Sequence, residues 1–358
     1  MVNTRVIRAG EMLIPHEIDG MVFTHLPNIR YLSGFTGSDG VLVVIGREAI
    51  FLTDSRYVTQ AHQQVQADEI REYRSKWEGV QELLAAKGVV RVGFEAEHLS
   101  YAAVEELRGK SAEMHEWVPV TGVIKALRAV KDTEEIACMA AAAALNAECF
   151  AEVLPLIRSG VAEREIALAL EFAFKKRGAE EKAFDIIVAS GERGALPHGT
   201  ASDKCLAEGE LVTIDFGCRY RGYHSDETVT LALGQVPERL LEMHAVVLEA
   251  QGRAMAAVRP GASLRAIDQA ARDYIAERGF GDYFGHGTGH GLGLEVHEFP
   301  SVSPRSEETA EAGMVITIEP GIYIPDLGGV RIEDTVLVTA EGCRRLTRIP
   351  KGLKVSPK

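Results

Sequence analysis

The sequence predicts an α/β protein of two domains, the second of which contains an internal duplication. The chain has 358 residues, more than one hydrophobic core usually holds, so two domains are expected. From Met21 to about Val120, short β-runs alternate with polar helical stretches, and beyond residue 135 an order of two helices followed by strands occurs twice. Hydrophobic residues make up 46% of the chain and charged residues 25%, as in ordinary soluble globular proteins.

Short strands and helical stretches define the N-terminal domain. The β-runs are VLVVIG at 41–46, AIFLTD at 49–54 and VVRVGFE at 89–95. The segment IKALRAVKDTEE at residues 124–135 is rich in charged residues, unlike the β-runs before it, and leads into a long helix. We therefore place the domains at residues 1–124 and 125–358.

A helix start signal opens the second domain. Asp132 and Glu135 form a D-x-x-E pattern, in which each side chain can bond the backbone N–H of the other residue. The helices expected from here on form two pairs, over residues 136–157, 163–177, about 237–258 and 264–278. Gly178 and Gly279 each follow the second helix of a pair and are expected to end it.

Matching strand segments follow each helix pair. Residues 211–217 read LVTIDFG and residues 315–321 read VITIEPG, each a β-branched run that ends in an acid. Farther on, Asp226-Glu227-Thr228 is matched by Glu333-Asp334-Thr335. Two matched pairs in the same order indicate an internal duplication.

The acids of these strands are expected on polar faces, because alternate residues of a strand share a face. Asp215 shares its face with Thr213, and Glu319 shares its face with Thr317. The later strands repeat the arrangement, with polar faces made of His224, Asp226, Thr228 and Thr230 in one and of Arg331, Glu333 and Thr335 in the other.

Four acids in this pattern indicate a metal site. A single strand acid is more often solvated or ion-paired, but four in a duplicated pattern favour a common role. Two carboxylates ~4 Å apart repel each other by about 4 kcal/mol at an effective dielectric of ~20, so a cluster needs counter-charge. Two divalent cations supply it, and carboxylates with one imidazole suit Mn²⁺, Co²⁺, Fe²⁺ or Zn²⁺.

The segment GTGHGLGLEVHE at residues 287–298 places two histidines in a glycine-rich stretch. Its glycines are expected to let the backbone pass close to a crowded site and to adopt conformations that a Cβ would forbid. His290 is then available as a fifth metal ligand, which leaves His297 for another role. A dinucleotide-binding loop is excluded, because no strand and helix flank the glycines; a core histidine in a glycine-rich loop stays open.

Composition excludes several other classes. The net charge of −13 and the lack of a basic run argue against a nucleic-acid partner. Five scattered cysteines without a C-x-x-C pair predict reduced thiols in a cytoplasmic protein. No secretory signal is recognised, and the Ala-rich run at 139–145 is interrupted on both sides by glutamates, so a soluble helix and no membrane association are expected.

Six motifs in order carry a family resemblance: HGTASDK, VTIDFG, HSDET, GTGHGLGLEVHE, TIEPGIY and GVRIEDT. Together they resemble the Xaa-Pro aminopeptidases and prolidases, metallopeptidases with the pita-bread fold. NIRYLSGFTGSDG and FLTDSRY in the first domain look like the creatinase-type N-terminal domain of that family. The resemblance implies a pita-bread catalytic domain with a pseudo-twofold duplication, and a smaller α/β N-terminal domain of the ribonuclease H-like type that makes a homodimer interface.

The resemblance also assigns roles to residues. It implies a two-metal centre, with manganese the expected ion, whose five ligands are Asp215, Asp226, His290, Glu319 and Glu333. Asp226 and Glu333 would bridge the ions, and Glu319 would also pass a proton to the leaving nitrogen. The other implied site residues are the substrate-contacting His198 and His297, Arg331 beside the ligands, and the active-site His286.

The first functional expectation is an Xaa-Pro aminopeptidase that acts on proline-containing peptides; the alternative is an Xaa-Pro dipeptidase (prolidase). Some dipeptidases of the family carry an arginine after H-E-x-P to hold the substrate carboxylate, whereas this chain has Ser301, with Arg305 nearby as a substitute. A creatinase-like amidinohydrolase and a non-catalytic binding module are remote alternatives, because this chain has a metal-ligating residue at all five ligand positions. Methionine aminopeptidases share the ligands but lack this N-terminal half.

Overall fold

The computed structural model describes residues 3–109, 114–353 and 355–356. The chain divides into two compact units, Met1–Arg128 and Ala129–Lys358. The predicted boundary after residue 124 lies in the short segment just before this division.

The first unit is built on one mixed six-stranded sheet. Its helices are α1 Thr4–Leu13, α2 Leu26–Ser33, α3 Val58–Gln64, α4 Lys76–Ala86 and α5 Tyr101–Gly109, and α6 Lys125–Ala129 follows at the division. Its strands are β1 Gly20–Phe23, β2 Val41–Ile45, β3 Glu48–Thr53, β4 Glu69–Glu72, β5 Arg91–Glu95 and β6 Glu116–Val120, in the sheet order β4-β3-β2-β1-β5-β6. The strands predicted from the three β-runs are confirmed as β2, β3 and β5.

The second unit contains two helix pairs and several sheets. Its helices are α7 Thr133–Val153, α8 Glu163–Lys176, α9 Glu238–Ala257 and α10 Leu264–Glu277. Its first strands are β7 Glu181–Lys182, β8 Ile187–Ser190, β9 Leu211–Phe216, β10 Cys218–Tyr220, β11 Tyr223–His224 and β12 Glu227–Leu233. The later strands are β13 Gly289–Gly291, β14 Glu298–Val302, β15 Val315–Ile318, β16 Gly321–Ile324, β17 Gly328–Arg331, β18 Asp334–Val338, β19 Cys343–Arg345 and β20 Val355–Ser356.

Helix α7 begins as the sequence predicts. The Asp132 carboxylate accepts hydrogen bonds from the backbone N–H groups of Glu134 and Glu135, and the Glu135 side chain accepts from the Asp132 N–H at 3.0 Å. This capping box satisfies N–H groups that the first turn leaves without partners. By length and hydropathy alone, Thr133–Leu156 could span a membrane, but its buried residues, such as Phe150, pack in the hydrophobic core of the unit.

The predicted duplication is present in the second unit. Helices α7 and α8 precede the antiparallel pair β9 and β12, and α9 and α10 precede the antiparallel pair β15 and β18. In the first pair Asp215 lies opposite Thr228, and in the second Thr317 lies opposite Thr335. Because the register is kept within each pair, the polar residues stay on one face of both.

Each strand pair is covered by its own helix pair. Val229 and Ile214 are buried with Phe174 in one core, while Ile316 is buried with Met243 in another. The apolar faces are thus used in packing, which leaves the polar faces of the two strand pairs for the acids.

The continuous strands expected through Asp226 and Glu333 are not formed. Strand β11 ends at His224 and β12 begins at Glu227, while β17 ends at Arg331 and β18 begins at Asp334. Ser225 bonds Cys218 of β10 instead of continuing the ladder, and His224 bonds the Gly293 carbonyl oxygen. The strands are therefore interrupted at each acid, so strand parity alone does not place them.

Candidate metal centre

The predicted ligands meet at one cavity of about 480 Å³. Asp226, His290 and Glu333 each offer a ligand atom, and these atoms lie within 4.8 Å of one another. His290 Nε2 is 3.7 Å from Asp226 Oδ2 and 3.3 Å from Glu319 Oε1. Asp215, the fifth predicted ligand, also lines the cavity. The structure therefore brings together acids that lie more than a hundred residues apart in the sequence.

The two halves of the duplication place these acids in related positions. Asp215 lies on β9 and Glu319 directly follows β15, while Asp226 and Glu333 lie in the two strand breaks. The halves are also joined to each other: the Glu333 N–H donates to the Thr228 carbonyl oxygen at 3.2 Å, and Thr335 Oγ1 donates to the Asp226 carbonyl oxygen at 2.7 Å. Hydrogen bonds to the backbone of both acids thus fix them against the neighbouring half.

Two buried threonines hold one oxygen of their neighbouring acids. Thr228 Oγ1 donates to Glu333 Oε2 at 2.7 Å, and Thr317 Oγ1 donates to Glu319 Oε1 at 3.2 Å. Thr317 Oγ1 also accepts the His290 backbone N–H at 3.0 Å. Each carboxylate is therefore oriented before any cation binds.

Two carboxylate oxygens show where cations fit. Asp215 Oδ1 and Glu333 Oε1 are buried and have no hydrogen-bond partner among the described residues. A buried polar atom without a partner costs about 1–3 kcal/mol, and more for a charged group. Oxygen and imidazole donors around such atoms suit a divalent cation of the first transition row.

The electrostatics of the cluster also favour bound cations. Burial, together with the negative charges of the neighbouring acids, raises the pKa of Asp226 and of Glu333 well above the ordinary carboxylate value. Burial also raises the pKa of Asp215, although the positive charge of Arg331 works against it. The cluster therefore favours bound protons or cations over bare negative charge.

Glu319 and His290 form an ion pair inside this cluster. Burial raises the pKa of Glu319, but the hydrogen bond and the charge of His290 outweigh it, so the pKa is lowered. Burial likewise lowers the pKa of His290, but the contact with Glu319 outweighs it, so the pKa is raised. A proton on His290 would thus supply part of the counter-charge that the acids need in the absence of a cation.

The glycines beside His290 serve close approach. A Cβ on Gly289 would lie 1.9 Å from the Thr317 carbonyl oxygen, and one on Gly291 would lie 2.4 Å from the Phe299 carbonyl oxygen. The close-packing part of the prediction is confirmed. The part about unusual backbone conformations is wrong, because none of the four glycines from 287 to 293 has a φ in the left-handed region.

The predicted substrate histidines lie at the rim. His198 and His297 are exposed and line the same cavity. The His297 ring lies edge-on to the His290 ring, with 4.4 Å between centroids. Burial of part of the ring, and then the charge of His290, lower the pKa of His297, so the neutral imidazole is favoured.

Arg331 connects the ligands to the rim. Its guanidinium, which is buried, donates to Asp215 Oδ2 at 2.7 Å, to the Tyr323 hydroxyl at 3.0 Å and to the Pro197 carbonyl oxygen at 3.0 Å. Pro197 directly precedes His198, so one side chain orients a ligand and holds the loop of a rim histidine. His286 Nε2 contacts the same Tyr323 hydroxyl at 2.9 Å.

Comparison with known families identifies this arrangement. The family description "Metallopeptidase family M24" matches residues 137–340, and "Creatinase/Prolidase N-terminal domain" matches residues 5–130. The chain belongs to metallopeptidase family M24. The predicted family, the two-domain fold with a pita-bread catalytic domain and the enzyme class, a metallopeptidase, are thereby confirmed.

Proteins named as Xaa-Pro peptidases resemble the chain over nearly its whole length. The Xaa-Pro dipeptidase of Pyrococcus furiosus is 42% identical over 98% of this chain and 100% of its own. The structure of an Xaa-Pro dipeptidase from Bacillus anthracis matches with a TM-score of 0.97 at 42% identity, covering 99% of this chain and 100% of that one. The X-Pro aminopeptidase of Thermotoga maritima matches with a TM-score of 0.89 at 36% identity, covering 97% and 99%.

Some residues of the M24 site were not predicted. Tyr323 links Arg331 to His286, and the TIEPGIY motif that contains it was its only signal in the sequence.

Asp268 is buried in α10 and accepts hydrogen bonds from the Thr288 N–H and Oγ1 at 3.0 and 2.8 Å, which fixes the loop before His290. Glu163 at the start of α8 accepts from Ser190 and Ser202 on both sides of the His198 loop. No sequence pattern links these helix acids to the loops that they hold.

Metal-stripped protein is expected to lose thermal stability relative to the Mn²⁺-loaded protein as the pH rises from about 5 to 8. The pKa values of Asp226, Glu333 and His290 are raised in the folded state, so their stabilising effect is complete below the unfolded values and is lost as pH rises through the folded ones. The lowered pKa of Glu319 matters only in stronger acid. Unfolding midpoints measured with chelator and with Mn²⁺ test this, because bound cations should remove the slope. Equal slopes in both conditions would contradict it.

Proposed function

We propose that this M24 peptidase hydrolyses Xaa-Pro dipeptides. The Xaa-Pro aminopeptidase was the first expectation from the sequence, and the comparisons favour the alternative. The Xaa-Pro dipeptidases of P. furiosus and B. anthracis each share 42% identity with the chain, against 36% for the T. maritima aminopeptidase. The observation that carries the proposal is a second cavity beside the metal centre.

This second cavity, of about 660 Å³, can hold a substrate carboxylate. It shares His286, Gly287, Ser301 and Ser303 with the metal-centre cavity, and Arg305 lies on its wall. The Arg305 backbone N–H donates to Ser303 Oγ, whereas its exposed guanidinium makes no hydrogen bond or ion pair with the described residues. A guanidinium binds a carboxylate through two parallel hydrogen bonds, so Arg305 can take the place of the arginine that Ser301 replaces.

The residues of the metal centre have distinct tasks in this proposal. Asp215, Asp226, His290, Glu319 and Glu333 would hold two divalent ions, most simply Mn²⁺. When bound, such ions polarise a carbonyl group and acidify a water molecule. Glu319, oriented by Thr317, moves a proton to the leaving proline nitrogen. His297 and His198 donate hydrogen bonds to the substrate at the carbonyl that is attacked.

Apolar side chains complete the site for a proline ring. Phe184, Ile187 and Val296 line the metal-centre cavity beside the polar residues. Proline has no amide N–H and a fixed ring, so a site that grips an extended N–H cannot use it. An apolar wall beside the metal centre instead accepts the ring by shape and burial.

The length of the preferred substrate tests the proposal. With Mn²⁺ bound, we expect kcat/KM for Ala-Pro to exceed that for Ala-Pro-amide and for Ala-Pro-Gly, because only the dipeptide places a carboxylate near Arg305. Cleavage restricted to the tripeptide would instead support the second candidate, an Xaa-Pro aminopeptidase like the T. maritima protein. Initial rates over a range of each peptide give the comparison.

Arg305→Ala sharpens the same test. We expect its kcat/KM for Ala-Pro to fall about 10- to 100-fold, mostly through KM, as for a lost hydrogen bond to a charged group, and to stay unchanged for Ala-Pro-amide. Arg259→Ala, which removes another exposed arginine after α9, is the matched control. Equal losses on both peptides would exclude a carboxylate contact.

We also propose the cytoplasm as the location and a homodimer as the assembly. Scattered cysteines and an acidic net charge of −13 support the first. The creatinase-type N-terminal domain supports the second. Metal analysis of protein purified without added metal, and light scattering after gel filtration, measure the bound ion and the assembly.

A further inference from the structure

A second acid follows each bridging acid. Glu227 follows Asp226 and Asp334 follows Glu333, so the duplication repeats an acidic pair in both halves. Glu227 and Asp334 are 0% and 1% exposed. Asp226 and Glu333 line the metal-centre cavity, whereas neither Glu227 nor Asp334 is among its lining residues. Two carboxylates therefore lie buried directly behind the metal centre, and the proposed chemistry does not use them.

One lysine lies between these two carboxylates. Lys351 Nζ is 2.6 Å from Glu227 Oε1 and 3.6 Å from Asp334 Oδ1, and its side chain is 2% exposed. Glu227 belongs to the first half of the duplication and Asp334 to the second. A single buried ammonium group thus connects the strand starts that carry the two predicted bridging ligands.

The chain around Lys351 adds further bonds to the same acids. Thr347 Oγ1 donates to Asp334 Oδ1 at 2.6 Å, and the Ile349 N–H donates to Glu227 Oε1 at 3.1 Å. Asp334 also accepts from Gln251 at 2.8 Å and pairs with Arg345 at 3.3 Å. The segment 346–351 therefore contacts both halves of the duplication through Glu227 and Asp334.

The energetics of this buried ion pair favour a role in orienting Glu227 and Asp334 over a role in stabilising the fold. A buried ion pair is expensive to desolvate, and well-packed apolar side chains usually give equal or greater stability. The Lys351 ammonium group, however, donates a hydrogen bond to Glu227 and lies 3.6 Å from Asp334, so its charge restricts how far apart the two carboxylates can move. Because each carboxylate is joined by a single peptide unit to a metal ligand, the restriction passes to the spacing of Asp226 and Glu333.

We propose that Lys351 is a positioning residue that sets the distance between the two halves of the metal centre. This rests on the proposed metal pair but not on the choice of substrate. Lys351 touches no substrate in this account. It acts through Glu227 and Asp334, and its loss lets the bridging ligands move apart.

The test measures metal binding and the spectrum of the metal pair. In Lys351→Met, titration calorimetry should show the affinity for the second Mn²⁺ reduced about 10-fold or more, as expected when outer contacts of metal ligands are lost. Electron paramagnetic resonance should show the coupled two-manganese signal replaced by that of single ions. The combined Lys351→Met and Glu227→Gln variant, which removes the unpaired buried charge, should give the same result in a stably folded protein.

The controls separate the possible outcomes. Neutralising the half-exposed pair of Lys87 and Glu48, 2.5 Å apart in the first unit, by Lys87→Met with Glu48→Gln should leave both readouts unchanged. Unchanged affinity and coupling in the Lys351 variants would overturn the proposal, as would failure of both variants to fold with Mn²⁺ present, because Lys351 would then determine folding instead of spacing. A wild-type protein that binds fewer than two ions would refute the metal pair itself.

Discussion

Glu333→Gln is expected to release at least one metal ion and to abolish nearly all turnover. Glu333 Oε2 is fixed by Thr228, while Oε1 is buried without a described partner, so it is the atom that faces a cation. Glutamine keeps the shape but brings a neutral amide, whose N–H groups repel a cation at the same place. Since bound metals supply several kcal/mol of transition-state stabilisation, the fall in kcat should reach about 10³-fold or more.

The same substitution should stabilise the metal-free protein. Burial and the neighbouring acids disfavour the charged form of Glu333, so removal of its charge relieves repulsion. Loss of activity together with a higher unfolding midpoint after chelation separates a lost ligand from a damaged fold. Metal counting by mass spectrometry and kcat on Ala-Pro measure the first effect, with the exposed Glu277→Gln as control. Full turnover in a metal-counted sample would disprove the assignment.

The elements that carry the site follow from local patterns in the sequence. The capping box at Asp132 and the glycines after α8 and α10 fixed the helix ends, since both signals act within a few residues. The duplicated acids pointed to one cluster, because two halves with the same pattern place them in related positions. These inferences need only short-range geometry and the symmetry of the repeat.

Features that depend on distant parts of the chain were not predictable in this way. The breaks before Glu227 and Asp334 depend on pairing with other strands, so parity along one strand did not show them. Lys351 meets Glu227 across 124 positions, which no periodicity records. Ser301 favoured the aminopeptidase in the sequence, whereas the proposed dipeptidase rests on Arg305, and only the structure places Arg305 and Ser301 on the wall of one cavity.

His297→Ala is expected to keep the metal ions and to lower kcat by about 10²- to 10³-fold, the usual loss for a hydrogen-bond donor to a developing oxyanion. His297 lies at the exposed rim, with its ring 4.4 Å from that of the predicted ligand His290. His290 is held separately by the Gly291 carbonyl oxygen at 3.0 Å and by Glu319, so the predicted ligands should stay in place. The measurement is kcat on Ala-Pro, normalised to bound metal. His62→Ala, which removes an exposed histidine of α3, is the control.

The pH dependence of this variant distinguishes a neutral donor from a charged one. Burial lowers the pKa of His297, and so does positive charge at His290, whether a proton or a bound cation carries it. The imidazole should therefore stay neutral between about pH 6.5 and 8 and donate through one N–H. Wild type and His297→Ala should therefore show parallel rate profiles in this range, separated by a constant factor. A gap that widens as the pH falls would mean that an imidazolium acts. An unchanged kcat would remove His297 from the reaction, and loss of metal from the variant would make its role that of a ligand.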